Sequence, residues 1–291
     1  MKINVKLPFG LLLAIALCSA SYLSAQDSNT ETEETGFPGD HFSLEGALEL
    51  FKKAASPEDF EKLLNDESSN VNNLDLNEDD EIDYIRVIDN VDGDVHAIVL
   101  QVPISESESQ DIAVIEIEKQ GENQAILQII GDEDIYGEQI IVEPFEEEVK
   151  SKGKGPSFDV EIYRVVVNVW LWPSVRFVYA PLYKPWVSPW RWRYYPSWWR
   201  PWRPLGWSAY HVRVRPYRVN YHVVTTHRVV RAHKVYAPRR TSSKVVHSRT
   251  TVVRKGPKGT TVGTRKTTTV RGRGGNVKAK KSTTTVRRRK N

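Results

Sequence analysis

Cysteine is almost missing from this chain: Cys18 is the only one in 291 residues, and it lies in an N-terminal leader. A single cysteine excludes an internal disulfide and a thiolate pair for a metal, so stability must come from a packed core. Catalytic signatures are equally scarce. No nucleophile-elbow, zinc-helix or phosphate-loop spacing occurs, and residues 26–150 hold only two histidines, His41 and His96. These gaps argue for a binding protein and against an enzyme. Long apolar runs are also lacking, because the most apolar later stretch, residues 162–180, is broken by Arg164, Asn168, Pro173 and Arg176.

Each half of the chain lacks one sign of charge. Residues 26–150 contain six Lys+Arg against 35 Asp+Glu, whereas residues 151–291 contain 33 Lys+Arg and two acids, Asp159 and Glu161. The formal net charge of +4 is therefore a cancellation. Such polarity assigns different tasks to the halves and directs the basic one toward a polyanion.

Lys2 and Lys6, the apolar run 11–17 and small residues up to Ala25 follow the order of a secretory signal. The expectation is a signal peptide over 1–25 and a protein exported to the periplasm, outer-membrane surface or medium. Residues 26–41 read as an acidic disordered spacer.

Residues 42–150 read as an acidic α+β domain. Leu44, Ala47, Leu48 and Phe51 recur at helical spacing over 43–54. Ser56 caps a second helix, with Pro57 at its first position and Phe60, Leu63 and Leu64 on its buried stripe. The period then changes to two, predicting strands over 82–91, 95–104, 112–119 and 124–131. Asp92-Gly93 and Gly121-Glu122-Asn123 mark tight turns. The expected fold is two short helices on a four-stranded antiparallel meander, followed by an irregular Trp/Pro/Arg-rich segment and a disordered basic tail.

The loop entering the sheet offers oxygen ligands at alternating positions: Asp75, Asn77, Asp79, the Glu81 carbonyl and Asp83. This pattern resembles EF-hand, dockerin and integrin-type calcium loops. Asp80 stands where such loops place glycine, and Arg86 where an EF-hand places its bidentate Glu. The loop reads either as a weak Ca2+ site, at roughly 10⁻⁴–10⁻³ M, or as a solvated acidic turn. The cluster Asp132-Glu133-Asp134 with Glu138 reads as a charged loop at a sheet end, and Asp89, Asp92 and Asp94 as hairpin residues.

All nine tryptophans fall between Trp170 and Trp207, where residues 151–222 alternate aromatics with Pro and Arg. Prolines at 181, 185, 189, 196, 201 and 204 forbid a regular helix or central strand there. The segment can pack on the acidic domain through cation–π pairs, or present its rings to sugars, bases or a membrane interface. Trp190, Arg191, Trp192, Arg193, Trp198, Trp199, Arg200, Trp202 and Arg203 are the candidate ligand-binding residues.

Residues 223–291 form a basic low-complexity tail in which TTTVR occurs at 267–271 and 283–287. Arg271, Arg273, Lys280, Lys281, Arg287, Arg288, Arg289 and Lys290 are its candidate polyanion contacts. The histidines at 211, 222, 227, 233 and 247 match no metal spacing and read as charge adjusters at mildly acid pH.

The stretches DLNEDDEIDYIRVIDN, GDVHAIVLQVP, IGDEDIYGE and VSPWRWRYYPSWWRPW resemble an exported family of Bacteroidota with no assigned activity. That resemblance implies export and the two-part layout, and carries no catalytic residues. The leading expectation is a non-enzymatic envelope protein whose basic aromatic half holds an acidic glycan or lipopolysaccharide, with membrane-surface contact compatible with the same chemistry. The alternatives are a scaffold that self-associates through acidic-domain to basic-tail contacts, and extracellular DNA binding.

Overall fold

Both expected helices form where their caps place them. In the computed structural model, which describes residues 34–147 and 164–246 and the backbone of 148–152, 159–163, 247, 253–256, 259–271 and 277–289, α1 spans Leu44–Lys53 and α2 Pro57–Leu64. The Ser43 hydroxyl accepts from Gly46 N at 3.0 Å. Ser56 Oγ accepts from Asp59 N at 3.1 Å, and the Asp59 carboxylate accepts in return from Ala55 N at 2.9 Å. Phe51 and Phe60 meet edge-to-face at 5.2 Å and lock the two helices together.

The sheet is larger than the four-stranded meander the sequence suggests. Strands β1 (Arg86–Asp92), β2 (Val95–Pro103), β3 (Ser109–Gly121), β4 (Gln124–Gly131), β5 (Ile140–Lys152) and β6 (Asp159–Val166) follow one another antiparallel. A seventh strand, β7 (Tyr221–Val224), comes from the basic half and pairs with β5 over Ile141–Pro144. Beyond Pro144 the partner of β5 becomes β6, starting at Phe145↔Val166. Proline and the run Glu146–Glu148 disguise β5 as a loop in the sequence, because proline donates no ladder hydrogen bond. Residues 82–85 stay outside the ladder; Ile82 N donates instead to the Trp202 carbonyl at 2.8 Å.

The basic half completes the core. After α3 (Glu133–Tyr136), α4 (Pro173–Val178) joins α1 and α2 over one sheet face, burying Val169, Trp172 and Val175 against Ile98, Ile115 and Leu127. Then α5 (Trp207–Val214) leads toward β7, and α6 (Val230–Tyr236) crosses the opposite face. There Val229 and Tyr236 cover Ala97, Val99, Val114 and Ile130, while Ala232 and Val235 cover Val95. Every residue of β2 is consequently buried. A last short helix, α7, spans Lys244–His247.

Two expectations are corrected by this packing. The acidic and basic halves share one core, so residues 151–222 and the start of the tail are covers of the sheet and not a separate arm. Structure also begins before Phe42. Phe37 is buried, its ring lying where any side chain at Gly137 would sit, and Gly137 holds φ +78. In the basic tail, β8 (Val253–Gly256), β9 (Gly259–Arg271) and β10 (Val277–Arg289) pair antiparallel with one another. Its Thr/Val repeats have the propensity for this pairing.

The expected signal peptide 1–25 and residues 26–33 of the spacer lie outside the described residues. So do Arg273 and Lys290, and the side chains of Arg271, Lys280, Lys281, Arg287, Arg288 and Arg289. Among the described residues no helix is long and apolar enough to cross a membrane.

Candidate functional site

The alternation of β3 sends Ile115 and Ile117 to the helix-covered face and Glu116 and Glu118 to the other. Glutamates in that position ordinarily face water. Here residues 225–246 lie over them as a strap, leaving Glu116 wholly buried and Glu118 at 4% exposure. Buried carboxylates need partners, and the strap supplies them. Arg231 Nε donates to Glu118 at 3.1 Å, and the Arg231 and Ala232 backbone N–H groups donate to its other oxygen at 2.6 and 3.2 Å. Arg228 Nε donates to Glu143 on β5 at 3.1 Å. Gln128 on β4 holds the chain on either side of His227, donating to the Thr226 carbonyl at 2.9 Å and accepting from Arg228 N at 2.7 Å.

Glu116 is the centre of this layer. One of its oxygens is 2.7 Å from His227 Nε2, and the other is 2.7 Å from His233 Nδ1. The two imidazoles meet edge-to-face at 4.7 Å. Hydrogen bonding to Glu116 raises the pKa of His233. One ligand atom from each of the three residues lies within 4.8 Å of the others, so the group can hold a metal ion. Among the described residues it is the one gathering of His, Cys, Asp and Glu that does so. The sequence reads His227 and His233 as charge adjusters at mildly acid pH; the fold gives them a shared carboxylate partner. Their spacing alone was uninformative because the carboxylate they share lies 111 positions earlier than His227.

The acidic clusters are also accounted for by the strap. Asp132 caps α3, accepting from Asp134 N at 2.9 Å, and Arg240 clasps both carboxylates: Nε to Asp132 at 2.5 Å, and Nη2 to Asp132 and Asp134 at 2.8 Å each. Of the cluster expected as a charged loop, Asp132 and Asp134 are thus buried while Glu133 and Glu138 stay exposed, and the hydrogen bond to Asp132 raises the Arg240 pKa. Asp89, expected in the hairpin turn, sits inside β1 and pairs with buried His96 Nδ1 at 2.8 Å. Asp111 on β3 accepts from Gln101 at 2.6 Å, Thr241 N at 2.8 Å and Tyr236 Oη at 3.2 Å. Burial pushes its pKa up to about 6.

In the loop 75–83 the carboxylates serve the backbone. Asp75 accepts from Asp79 N and Asp80 N at 3.1 and 3.0 Å, and Asp79 accepts from Glu81 N at 3.0 Å. Asp83 is buried, accepting from Leu76 N at 2.5 Å and the Asn77 amide at 3.0 Å; burial pushes its pKa up to about 8. Asp80 takes the strained φ of +67 that the missing glycine implied.

The aromatic residues divide. Trp199, a candidate ligand contact, is 5% exposed and packs edge-to-face on Tyr84 at 5.1 Å and Tyr195 at 4.7 Å. It belongs to the core, and its place in the binding set is corrected. Trp198 is 47% exposed, with Lys62 5.9 Å above its ring. Trp190, Trp192 and Trp202 are half-buried, while Arg191, Arg193, Arg200 and Arg203 are exposed. Arg191 stacks on Tyr194 at 4.6 Å, and Arg200 donates to the Trp199 carbonyl at 2.7 Å.

Compared with known proteins, the chain matches no family model, no curated protein and no solved structure. The likeness to an exported Bacteroidota family therefore rests on the quoted stretches alone.

Proposed function

We propose that this chain is an exported, non-enzymatic binding protein that holds an anionic polymer, an acidic glycan or lipopolysaccharide, on the ridge formed by residues 190–203. One observation carries the reading. Arg228, Arg231 and Arg240 of the strap are paired with acids of the sheet side, whereas Arg191, Arg193, Arg200 and Arg203 are exposed and have no acidic partner among the described residues. Trp198 stands exposed among them. Guanidinium groups suit sulfate, phosphate and carboxylate, and an exposed indole offers a flat apolar face to a sugar ring.

The alternative is self-association, in which basic tails meet exposed acids such as Glu78, Asp79, Asp80 and Glu81 of another copy. The internal pairing of Glu116, Glu118, Asp132 and Glu143 leaves fewer acids free for it, which favours the external ligand. DNA binding shares the electrostatics.

Retention on immobilised lipopolysaccharide, acidic glycans, heparin and DNA at low and physiological salt separates these. Charge-only contacts weaken as salt screens them over about 8 Å. The proposal requires a salt-resistant fraction on glycan or lipopolysaccharide that is lost in Trp198→Ala and reduced in Arg191→Ala/Arg193→Ala. Retention unchanged in both variants refutes the ridge.

Weak Ca2+ binding at residues 75–83 belongs to the same reading, with Asp75, Asn77, Asp79, Asp83 and the Glu81 carbonyl as ligands. The buried, unpartnered Asn77 Oδ1 supports it. Calcium would have to replace the backbone N–H groups that Asp75 and Asp79 now accept. Absence of heat and of any thermal shift at several millimolar Ca2+ would refute it.

A further inference from the structure

The His227–Glu116–His233 group is held in place before any ion arrives. Gln128 fixes the peptide groups on both sides of His227. Glu118 accepts from two N–H groups in the first turn of α6, which sets the helix that carries His233. The nearby guanidinium groups are turned to other acids: Arg228 to Glu143, Arg231 to Glu118 and Asp94. Side-chain exposures of 22% for His227 and 29% for His233, against 0% for Glu116, give a route from solvent to a buried carboxylate.

We propose that Glu116, His227 and His233 bind one transition-metal dication of the Zn2+ class, and that this ion latches residues 225–246 onto the sheet. Two imidazole nitrogens and one carboxylate oxygen are a borderline donor set that suits zinc and its late first-row neighbours. Calcium and magnesium want six or more oxygens, which the group does not supply. Three protein ligands leave a fourth position for water. Nitrogen and oxygen ligands about 2.0–2.1 Å from a tetrahedral ion stand about 3.3 Å apart. The 2.7 Å contacts run to different Glu116 oxygens, so an ion on one oxygen would open that contact by roughly half an ångström, draw the other imidazole nitrogen across to it, and take the place of the hydrogens now shared there. Since the two histidines come from the basic half and Glu116 from the acidic one, the ion would cross-link them.

The test uses the full chain, stripped with chelator and titrated with Zn2+ calorimetrically and with Co2+ spectroscopically. Expected are one equivalent of Zn2+, visible absorption from low-symmetry Co2+, two hyperfine-shifted imidazole N–H resonances, and a raised unfolding temperature with saturating Zn2+. His227→Gln/His233→Gln retains amide donors for Glu116 and should weaken Zn2+ binding by roughly 100-fold or more. Equal binding by that variant overturns the proposal, as does a wild-type protein that gives no Co2+ band. If the variant does not fold, the wild-type Co2+ spectrum decides: fewer than two shifted imidazole resonances overturns the assignment. Displacement of Zn2+ by equimolar Ca2+ would overturn the metal class.

Discussion

Ser188 Oγ donates at 2.8 Å to a carboxylate oxygen of Glu61, a residue 127 positions earlier on α2. The same oxygen accepts from Tyr84 Oη at 2.8 Å, and the other accepts from Val87 N at 2.9 Å and Trp186 Nε1 at 3.2 Å. One acid thus gathers α2, the entry to β1 and the aromatic segment. Burial raises its pKa, against the pull of these donors.

Glu61 yields a contrast between two substitutions. Glu61→Ala leaves four donors without an acceptor and should cost about 3 kcal/mol or more in urea unfolding. Glu61→Gln is milder, because its oxygen can serve Val87 N and Trp186 while its amide donates to the Tyr84 and Ser188 hydroxyls, which rotate to accept. It should cost no more than about 1 kcal/mol. Equal costs would mean that the carboxylate charge, and not the acceptor count, holds the segment down.

Adjacent tryptophans separate stability from binding. Trp199→Ala removes a ring packed on Tyr84 and Tyr195 and should destabilise by about 3–5 kcal/mol. Trp198→Ala removes a half-exposed ring and should shift the unfolding midpoint little, so only the Trp198 variant reports cleanly on ligand retention. A large thermal shift in Trp198→Ala would place that ring in the core as well.

Much of the acidic half was legible because its signals are local. Ser56 caps the helix it was expected to cap, and the helix expected over 43–54 forms with Ser43 as its own cap. Asp92-Gly93 turns with Gly93 at φ +60, and Asn123 takes φ +81 in the next hairpin. What escaped reading is non-local. Glu116 and Glu118 alternate with isoleucines like any solvent-facing row, and only a strap more than 100 residues away makes them interior. The charge asymmetry was visible, but part of it is spent inside the molecule, in pairs such as Arg240 with Asp132. Composition cannot say whether a basic segment seeks an outside polyanion or its own sheet.

The strap's arginines should differ in worth according to the burial of what they hold. Arg240 is 29% exposed and its Asp132 and Asp134 partners 2% and 8%, so Arg240→Ala strands two buried carboxylates and should cost about 3–5 kcal/mol. Arg231 is 52% exposed, and its backbone N–H still serves Glu118 after truncation; Arg231→Ala should cost about 1 kcal/mol. Chemical denaturation of both variants at neutral pH tests the order. Equal losses would show that Asp132 and Asp134 find water when Arg240 is gone.

Asp111 should make the strap sensitive to pH. Its pKa rises from 3.8 to about 6, chiefly through burial, so the folded chain holds this proton more tightly than the unfolded one. The sign follows from linkage: the stabilisation is complete below about pH 4 and is lost as pH rises through about 6. Two pK units correspond to about 3 kcal/mol, which bounds the effect. Other acids titrate in the same window, so the measurement is a difference between wild type and Asp111→Asn in urea unfolding from pH 4 to 7. Asparagine keeps an acceptor for Thr241 N but has no proton to lose there, and the variant should gain on wild type as pH rises. A difference that stays flat across the window would mean that Asp111 is ionised throughout, its charge fully balanced by Gln101, Thr241 and the nearby Arg86.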